Sequence, residues 1–209
     1  MPNWCDNQIT ITADKAVIDK IEQITKEEKD NQGLLNFFHP MPKELDGTTS
    51  PSSSADKPQP MIEGFDCWYD WRVENWCTKW EVCEFYGVER HDDTISFGFS
   101  SAWAPPTGAY TRFITSMAEK NLDVSLKAYY HEGGCDFAGC WDNGDDECIS
   151  PSDYKSDDDY WNEPGLGYDL DEMFNITESM AEYEAEQEED KEDVTEYVKG
   201  KAINIGEEV

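Results

Sequence analysis

The chain has 209 residues, enough for one good-sized core or a core with an appendage. Its 47 acidic and 16 basic residues give a formal net charge of -31, which makes duplex DNA, RNA and anionic membranes poor partners and favours basic ones. Seven cysteines, an odd number in a chain able to bury its own core, fit reduced thiols rather than a disulfide framework. No apolar run reaches the roughly 18 residues of a membrane span, and no basic segment leads into an apolar one at the start. The expectation is a cytoplasmic protein.

Asn7 to Thr12 alternate, with Ile9 and Ile11 on one face, which predicts a half-buried strand. Asp14 stands where it can cap a helix whose stripe is Val17, Ile18, Ile21 and Ile24 and whose end falls at Glu28 to Asp30. Leu34 to Pro42, closing on Pro-Met-Pro, reads as an extended segment across the core. From Asp46 to Pro60 the chain has almost nothing to bury and reads as a surface insertion or a disordered loop.

Trp68 to Trp80 holds four of the eight tryptophans. Indoles bury large areas and need a partner for their N–H, so Trp68, Trp71, Trp76, Trp80 and the later Trp103 form a structural aromatic seam. Trp71, Trp76 and Trp80 should lie buried against Phe97, Phe99 and the second helix, with Arg72 and Glu74 turned outward. Val82 to Arg90 and Thr94 to Ser100 read as a hairpin closed by His91-Asp92-Asp93, with Ile95, Phe97 and Phe99 toward the helices. After Trp103-Ala-Pro-Pro, Thr107 can cap a second helix with the stripe Tyr110, Phe113, Ile114 and Met117, ending at Asn121. Val124, Leu126, Ala128 and Tyr130 give another strand, and Gly133-Gly134 turns it into a fifth, Cys135 to Trp141, on the edge. Strand, helix, strand, strand, helix, strand is the α+β ferredoxin-like order, βαββαβ, here an antiparallel sheet with an extra edge strand and two helices on one face.

This domain spans residues 1–150; residues 151–209 form an acidic, partly helical extension with 20 acidic and 4 basic residues, a net of -16. Asp169 to Tyr183 can form a helix presenting Leu170, Met173, Phe174, Ile176 and Met180, and Val194, Tyr197, Val198, Ile203 and Ile205 offer a late apolar patch. The candidate partner-binding carboxylates are Asp157, Asp158, Asp159, Glu182, Glu184, Glu186, Glu188, Glu189, Asp190, Glu192 and Asp193.

The opening Met1-Pro2-Asn3-Trp4-Cys5-Asp6-Asn7, the run Trp71 to Trp80, and Phe97-Gly-Phe-Ser-Ser-Ala-Trp103-Ala-Pro-Pro106 resemble a family of bacteriophage and mobile-element proteins with a ferredoxin-like domain of unassigned function. The resemblance covers about residues 1–142 and implies a phage origin, hence a host bacterial cytoplasm, but no catalytic residues. It also implies a glycine where this chain has Cys77.

Chemistry-bearing residues are sparse. Cys135, Cys140 and Cys148 near His131 have zinc-ligand atoms but not the spacing of a compact finger, so no metal is assigned. Asp142 to Glu147 is oxygen-rich without the spaced loop of a calcium site. His39, His91 and His131 sit in no catalytic motif, no phosphate loop appears, and no cofactor is implied. Phe97 and Phe99 invite comparison with RNA-stacking sheets, but a phosphate backbone would meet repulsion. A 24.0 kDa chain exposes about 9,900 Å², one net charge per roughly 320 Å², against one per roughly 100 Å² of duplex DNA. Mimicry of nucleic acid is therefore partial at most, and needs charge gathered on one face. The reading is a non-enzymatic acidic protein that inhibits or redirects a host nucleic-acid-handling or defence protein with a basic surface. The alternatives are a small metal-dependent hydrolase or nucleotide-processing enzyme and a self-associating scaffold.

Overall fold

A computed structural model describes residues 3–27, 33–56, 58–82 and 84–187. The chain divides into two compact units, Met1–Ser150 and Pro151–Val209.

The first unit is α+β. Its elements run β1 (Trp4–Ala13), α1 (Lys15–Glu27), α2 (Leu34–Phe38), α3 (Trp68–Trp76), β2 (Phe85–His91), β3 (Thr94–Ala102), α4 (Thr107–Glu119), β4 (Val124–Glu132), β5 (Phe137–Asp142) and β6 (Asp145–Ile149). The strands make one antiparallel sheet in the order β2-β3-β1-β4-β5-β6. Strand β1 is central: Ile9 stands opposite Phe97 and Ala128, and Ile11 opposite Ile95 and Leu126. All six are buried, so the alternating apolar positions of three strands share one face, and the stripes of α1 and α4 close over it. Phe97 and Phe99 are thus core residues, which removes them from any RNA-stacking role. One polar cluster interrupts this core. The Asn7 amide, fully buried, donates to Cys5 O at 2.8 Å and Ser101 Oγ at 2.9 Å, so its burial is compensated.

Several expectations change. Leu34 to Pro42 is not extended throughout: Leu34–Phe38 is a short helix because its N-terminal amides have a distant acceptor. Glu81 Oε1 takes the Leu35 N–H at 2.7 Å and Oε2 the Asn36 N–H at 2.8 Å. Residues 46–60 are a surface insertion, not a disordered loop, where described: the Gln59 amide bonds Thr49 O at 2.9 Å and Asp66 O at 3.1 Å. The aromatic run is helical over Trp68–Trp76, and β2 starts at Phe85 rather than at 82. Thr107 does not cap α4; Pro106 holds the cap position without a side-chain bond, and Thr107 is the first helical residue. The fifth strand is not the edge. Asn143 and Gly144, at φ 50° and 112°, make a tight hairpin that converts the oxygen-rich segment after Asp142 into β6. At the opposite edge, the register of β2 shifts between Tyr86 and Glu89, around Gly87 at φ 59°. The expected end of the first helix at Glu28 to Asp30 lies outside the described residues.

In the second unit, α5 (Leu166–Phe174) and a helical run over 176–187 replace the single expected helix, broken at Asn175 with φ 50°. Leu170 and Ile176 are buried, while Met173 is exposed. Tyr154 stacks on Tyr160 at 4.0 Å between ring centroids, and the buried Trp161 donates its indole N–H to Lys155 O at 3.0 Å. The late apolar residues from Val194 to Ile205 lie outside the described residues.

Candidate functional site

The aromatic run splits at Cys77. Before it, α3 turns Trp71 and Trp76 inward, 1% and 0% exposed, with rings edge to face at 5.8 Å. Both indoles are satisfied: Trp76 donates to His39 O at 2.8 Å and Trp71 to a Glu63 carboxylate oxygen at 3.3 Å. His39 sets its ring against Trp71 at 4.9 Å, and burial holds its imidazole below the usual value. Cys77 then takes φ 66°, the left-handed cap conformation that glycine adopts more cheaply, so the turn survives without a glycine.

Beyond Cys77 the chain leaves the core. The buried Thr78 hydroxyl donates to Ala102 O at 2.8 Å, tying this segment to the end of β3. The Trp103 N–H donates to Asn3 O at 3.0 Å, and Trp4 stands opposite Ala102 in the sheet. Three separated stretches are thereby brought around the Lys79 ammonium, which lies 4.6 Å from the Trp80 ring centroid, 5.4 Å from Trp103 and 5.6 Å from Tyr69. Trp4 adds a fourth ring, 6.0 Å from Trp80. Trp4 and Trp103 remain 52% and 42% exposed. Trp103 also holds φ 68°, a conformation that costs a bulky residue about 1–2 kcal/mol. The seam is therefore half as expected: Trp71 and Trp76 are core, Trp68 and Trp80 are half-buried, and Trp103 is on the surface. Arg72 is half-buried rather than turned fully outward, whereas Glu74 is exposed.

An exposed aromatic cluster can seat cationic groups through the negative faces of its rings, and Lys79 already does so. Tyr69, Lys79 and Trp4 were not distinguishable from the sequence as members of this cluster. The available signal was a lysine set directly before Trp80 in a chain with only 16 basic residues.

The predicted carboxylates do not gather into one site. Asp158 caps a short 3-10 turn, accepting the Tyr160 N–H at 2.9 Å, and Glu184 accepts the Ser156 hydroxyl at 2.8 Å. Glu182 and Glu186 are exposed on the helical run over 176–187, where Glu178 shares their face at spacings of four residues. Among the described residues, none of these three joins an ion pair, so the stripe repels itself. Glu188, Glu189, Asp190, Glu192 and Asp193 lie outside the described residues.

Cys135, Cys140 and Cys148 do not converge with His131 on a common point: Cys140 is buried, the other two thiols are exposed, and Cys135 accepts from Asn3 at 3.4 Å. Among the described residues the ligand atoms of Asp66, Cys67 and Asp70 do come together, within 4.8 Å. Their contacts explain the grouping: Asp66 accepts the Ser52 hydroxyl at 2.6 Å, and the Cys67 thiol donates to Asp70 at 3.3 Å. No described helix is long and apolar enough to cross a membrane.

No protein-family model matches the chain, and no curated protein matches it. Among solved structures, the chain is similar to protein api92 from Yersinia pseudotuberculosis, of family DUF1281. The likeness covers 72% of this chain and 98% of that one at 10% identity, with a TM-score of 0.43. At that score it carries no argument about fold or function.

Proposed function

We propose that this is an acidic, non-catalytic binding protein that docks on a basic-surfaced protein. The observation that carries the reading is the cluster of the exposed Trp4 and Trp103 with the half-buried Tyr69 and Trp80 around Lys79, on a chain of net charge -31. Large, partly exposed rings are the chemistry of a binding hot spot for lysine or arginine side chains, which would displace Lys79 from the ring faces it covers. The net charge supplies steering toward such a partner, and the stripe Glu178, Glu182 and Glu186 adds carboxylates whose mutual repulsion a cation relieves. The partner is a host nucleic-acid-handling or defence protein that this chain inhibits or redirects, partly by presenting carboxylates where phosphates would lie. The setting is a bacterial cytoplasm reached from a phage or mobile element. We propose also that the first unit is ferredoxin-like, a reading supported by the β4-β1-β3-β2 order within its sheet, with β5 and β6 extending one side.

The test is retention of basic proteins from bacterial lysate by the immobilised full chain at about 50 mM and about 500 mM salt, spanning strong and weak screening. Retention at low salt that is lost in Trp4→Ala/Trp103→Ala, and reduced in Glu178→Lys/Glu182→Lys/Glu186→Lys, supports the reading. Equal retention by all three proteins, or none by the native chain, refutes it.

A further inference from the structure

We infer that the rings around Lys79 form a cage for an N-methylated lysine side chain of the partner, with Lys79 as an internal plug that the incoming group displaces. This rests on the docking reading above and narrows it to one kind of side chain.

The cage has three walls. The Lys79 ammonium faces Trp80, its neighbour in the chain, Trp103 from the turn after β3, and Tyr69 from α3, at 4.6, 5.4 and 5.6 Å from the ring centroids. The fold holds each wall before any ligand arrives. The Thr78 hydroxyl ties the backbone beside Lys79 to Ala102 O at 2.8 Å, the Trp103 N–H is bonded to Asn3 O at 3.0 Å, and Tyr69 belongs to a helix. Rings fixed in advance have little freedom left to lose on binding. Trp103 keeps its place at φ 68°, a costly backbone of the kind that gathers at ligand clamps. The site is also reachable, because Trp103 is 42% exposed and Lys79 only half-buried.

Rings, not carboxylates, hold Lys79. It joins no ion pair among the described residues, in a chain with 47 acidic side chains. A methyl carbon rests about 3.5–4.0 Å from ring carbons and about 1.5 Å from its nitrogen, so a methylated nitrogen seats roughly 4–5.5 Å from each wall. The Lys79 nitrogen, carrying hydrogens alone, lies nearest Trp80 and leaves slack toward Trp103 and Tyr69 that methyl groups fill. An unmodified lysine of the partner brings no contact that Lys79 does not already make, and it is strongly hydrated. Methylation keeps the charge and sheds that hydration. A planar guanidinium stacks on one ring at a time, so arginine is the poorer ligand. The net charge of -31 draws cations toward the site.

The probe is a short peptide carrying trimethyl-lysine, titrated into the full chain at constant ionic strength and followed by tryptophan fluorescence. Two comparison peptides carry unmodified lysine, or a neutral tert-butyl group in place of the trimethylammonium. The expected result is saturable binding of the trimethyl-lysine peptide, about tenfold tighter than either comparison. Lys79→Ala, which removes the plug, should tighten it about tenfold further, and Trp103→Ala should weaken it by about the same factor. Circular dichroism shows whether the variants are folded; if Trp103→Ala is not, Tyr69→Ala takes its place. The inference is overturned by an absence of saturation, by equal binding of the neutral peptide, by unchanged or weaker binding in Lys79→Ala, by undiminished binding in the folded ring variant, or by choline binding more tightly than the peptide. Retention of lysate proteins with no preference for the trimethyl-lysine peptide overturns the cage and leaves the docking reading standing. Selective peptide binding with no protein retained supports the cage and strikes the docking reading.

Discussion

Arg72 and Lys79 belong to one aromatic run, and both place a cation over indole rings, but with opposite consequences. Arg72 sits on the helical side of Cys77, half-buried between Trp68 and Trp76 and pressed against a cavity. Lys79 sits past the turn, over Trp80 and the exposed Trp103, with the exposed Trp4 beside Trp80. The same contact is thus an architectural element on one side and a surface for recognition on the other. What separates them is the direction of the chain after a single left-handed residue, not the composition of the run.

The largest expected effect tests the division between inside and outside. Trp76→Ala removes a fully buried indole and should cost about 3–5 kcal/mol, read from urea denaturation. Trp103→Ala should cost less, about 1 kcal/mol, because its side chain is 42% exposed and alanine, which keeps the Cβ, leaves the cost of φ 68° in place. Similar losses in the two variants would break the comparison.

A smaller effect concerns the cations. Arg72→Met exchanges a guanidinium with an unpartnered Nε for an apolar chain of related length, and should stabilise the fold by about 1 kcal/mol. Lys79→Met should leave the denaturation midpoint nearly unchanged, since exposed cation–ring contacts contribute only about 0.5–1 kcal/mol and the new side chain still covers the rings. At the junction, Cys77→Gly should raise stability by up to about 1 kcal/mol, as glycine takes φ 66° without the steric cost. A loss of stability there would show that the exposed Cys77 side chain contributes more than the turn conformation costs.

The smallest effect is in pH. Burial is the largest cause lowering the imidazoles of His39 and His131, so the folded chain binds their protons less readily than the unfolded chain. Their contribution is complete above the ordinary value near ~6.5 and is lost as pH falls through it toward the lowered native value. The urea midpoint should therefore drop between pH 7 and about 5.5, and His39→Gln should flatten part of that drop. An unchanged slope in that variant would remove His39 from the account.

The sequence reveals the parts of the fold whose faces differ. Ile9 and Ile11, Ile95 with Phe97 and Phe99, and Leu126 with Ala128 and Tyr130 all alternate because one side of the sheet is covered, and the stripes of α1 and α4 are legible for the same reason. Elements without that contrast are hidden. Strand β6 is exposed along most of its length and its Asp-Asp-Glu start looks like a loop; only Asn143-Gly144 marks it. Helix α3 buries Trp71 and Trp76 but leaves Val73 exposed, so no stripe appears. Helix α2 depends on Glu81, an acceptor far along the chain. The candidate surface was illegible for a related reason: residues 4, 69, 79, 80 and 103 meet only through the pairing of β1 with β3 and the Thr78 bond to Ala102.

The two margins of the sheet complete the account. On one side, β6 lines its free backbone with Asp145, Asp146 and Glu147; on the other, β2 is buckled at Gly87. An incoming strand would meet like charges at the first margin and a broken hydrogen-bonding ladder at the second. The sheet is thereby closed to growth at neutral pH. At these two margins, contacts through side chains are favoured over lending the backbone as a template.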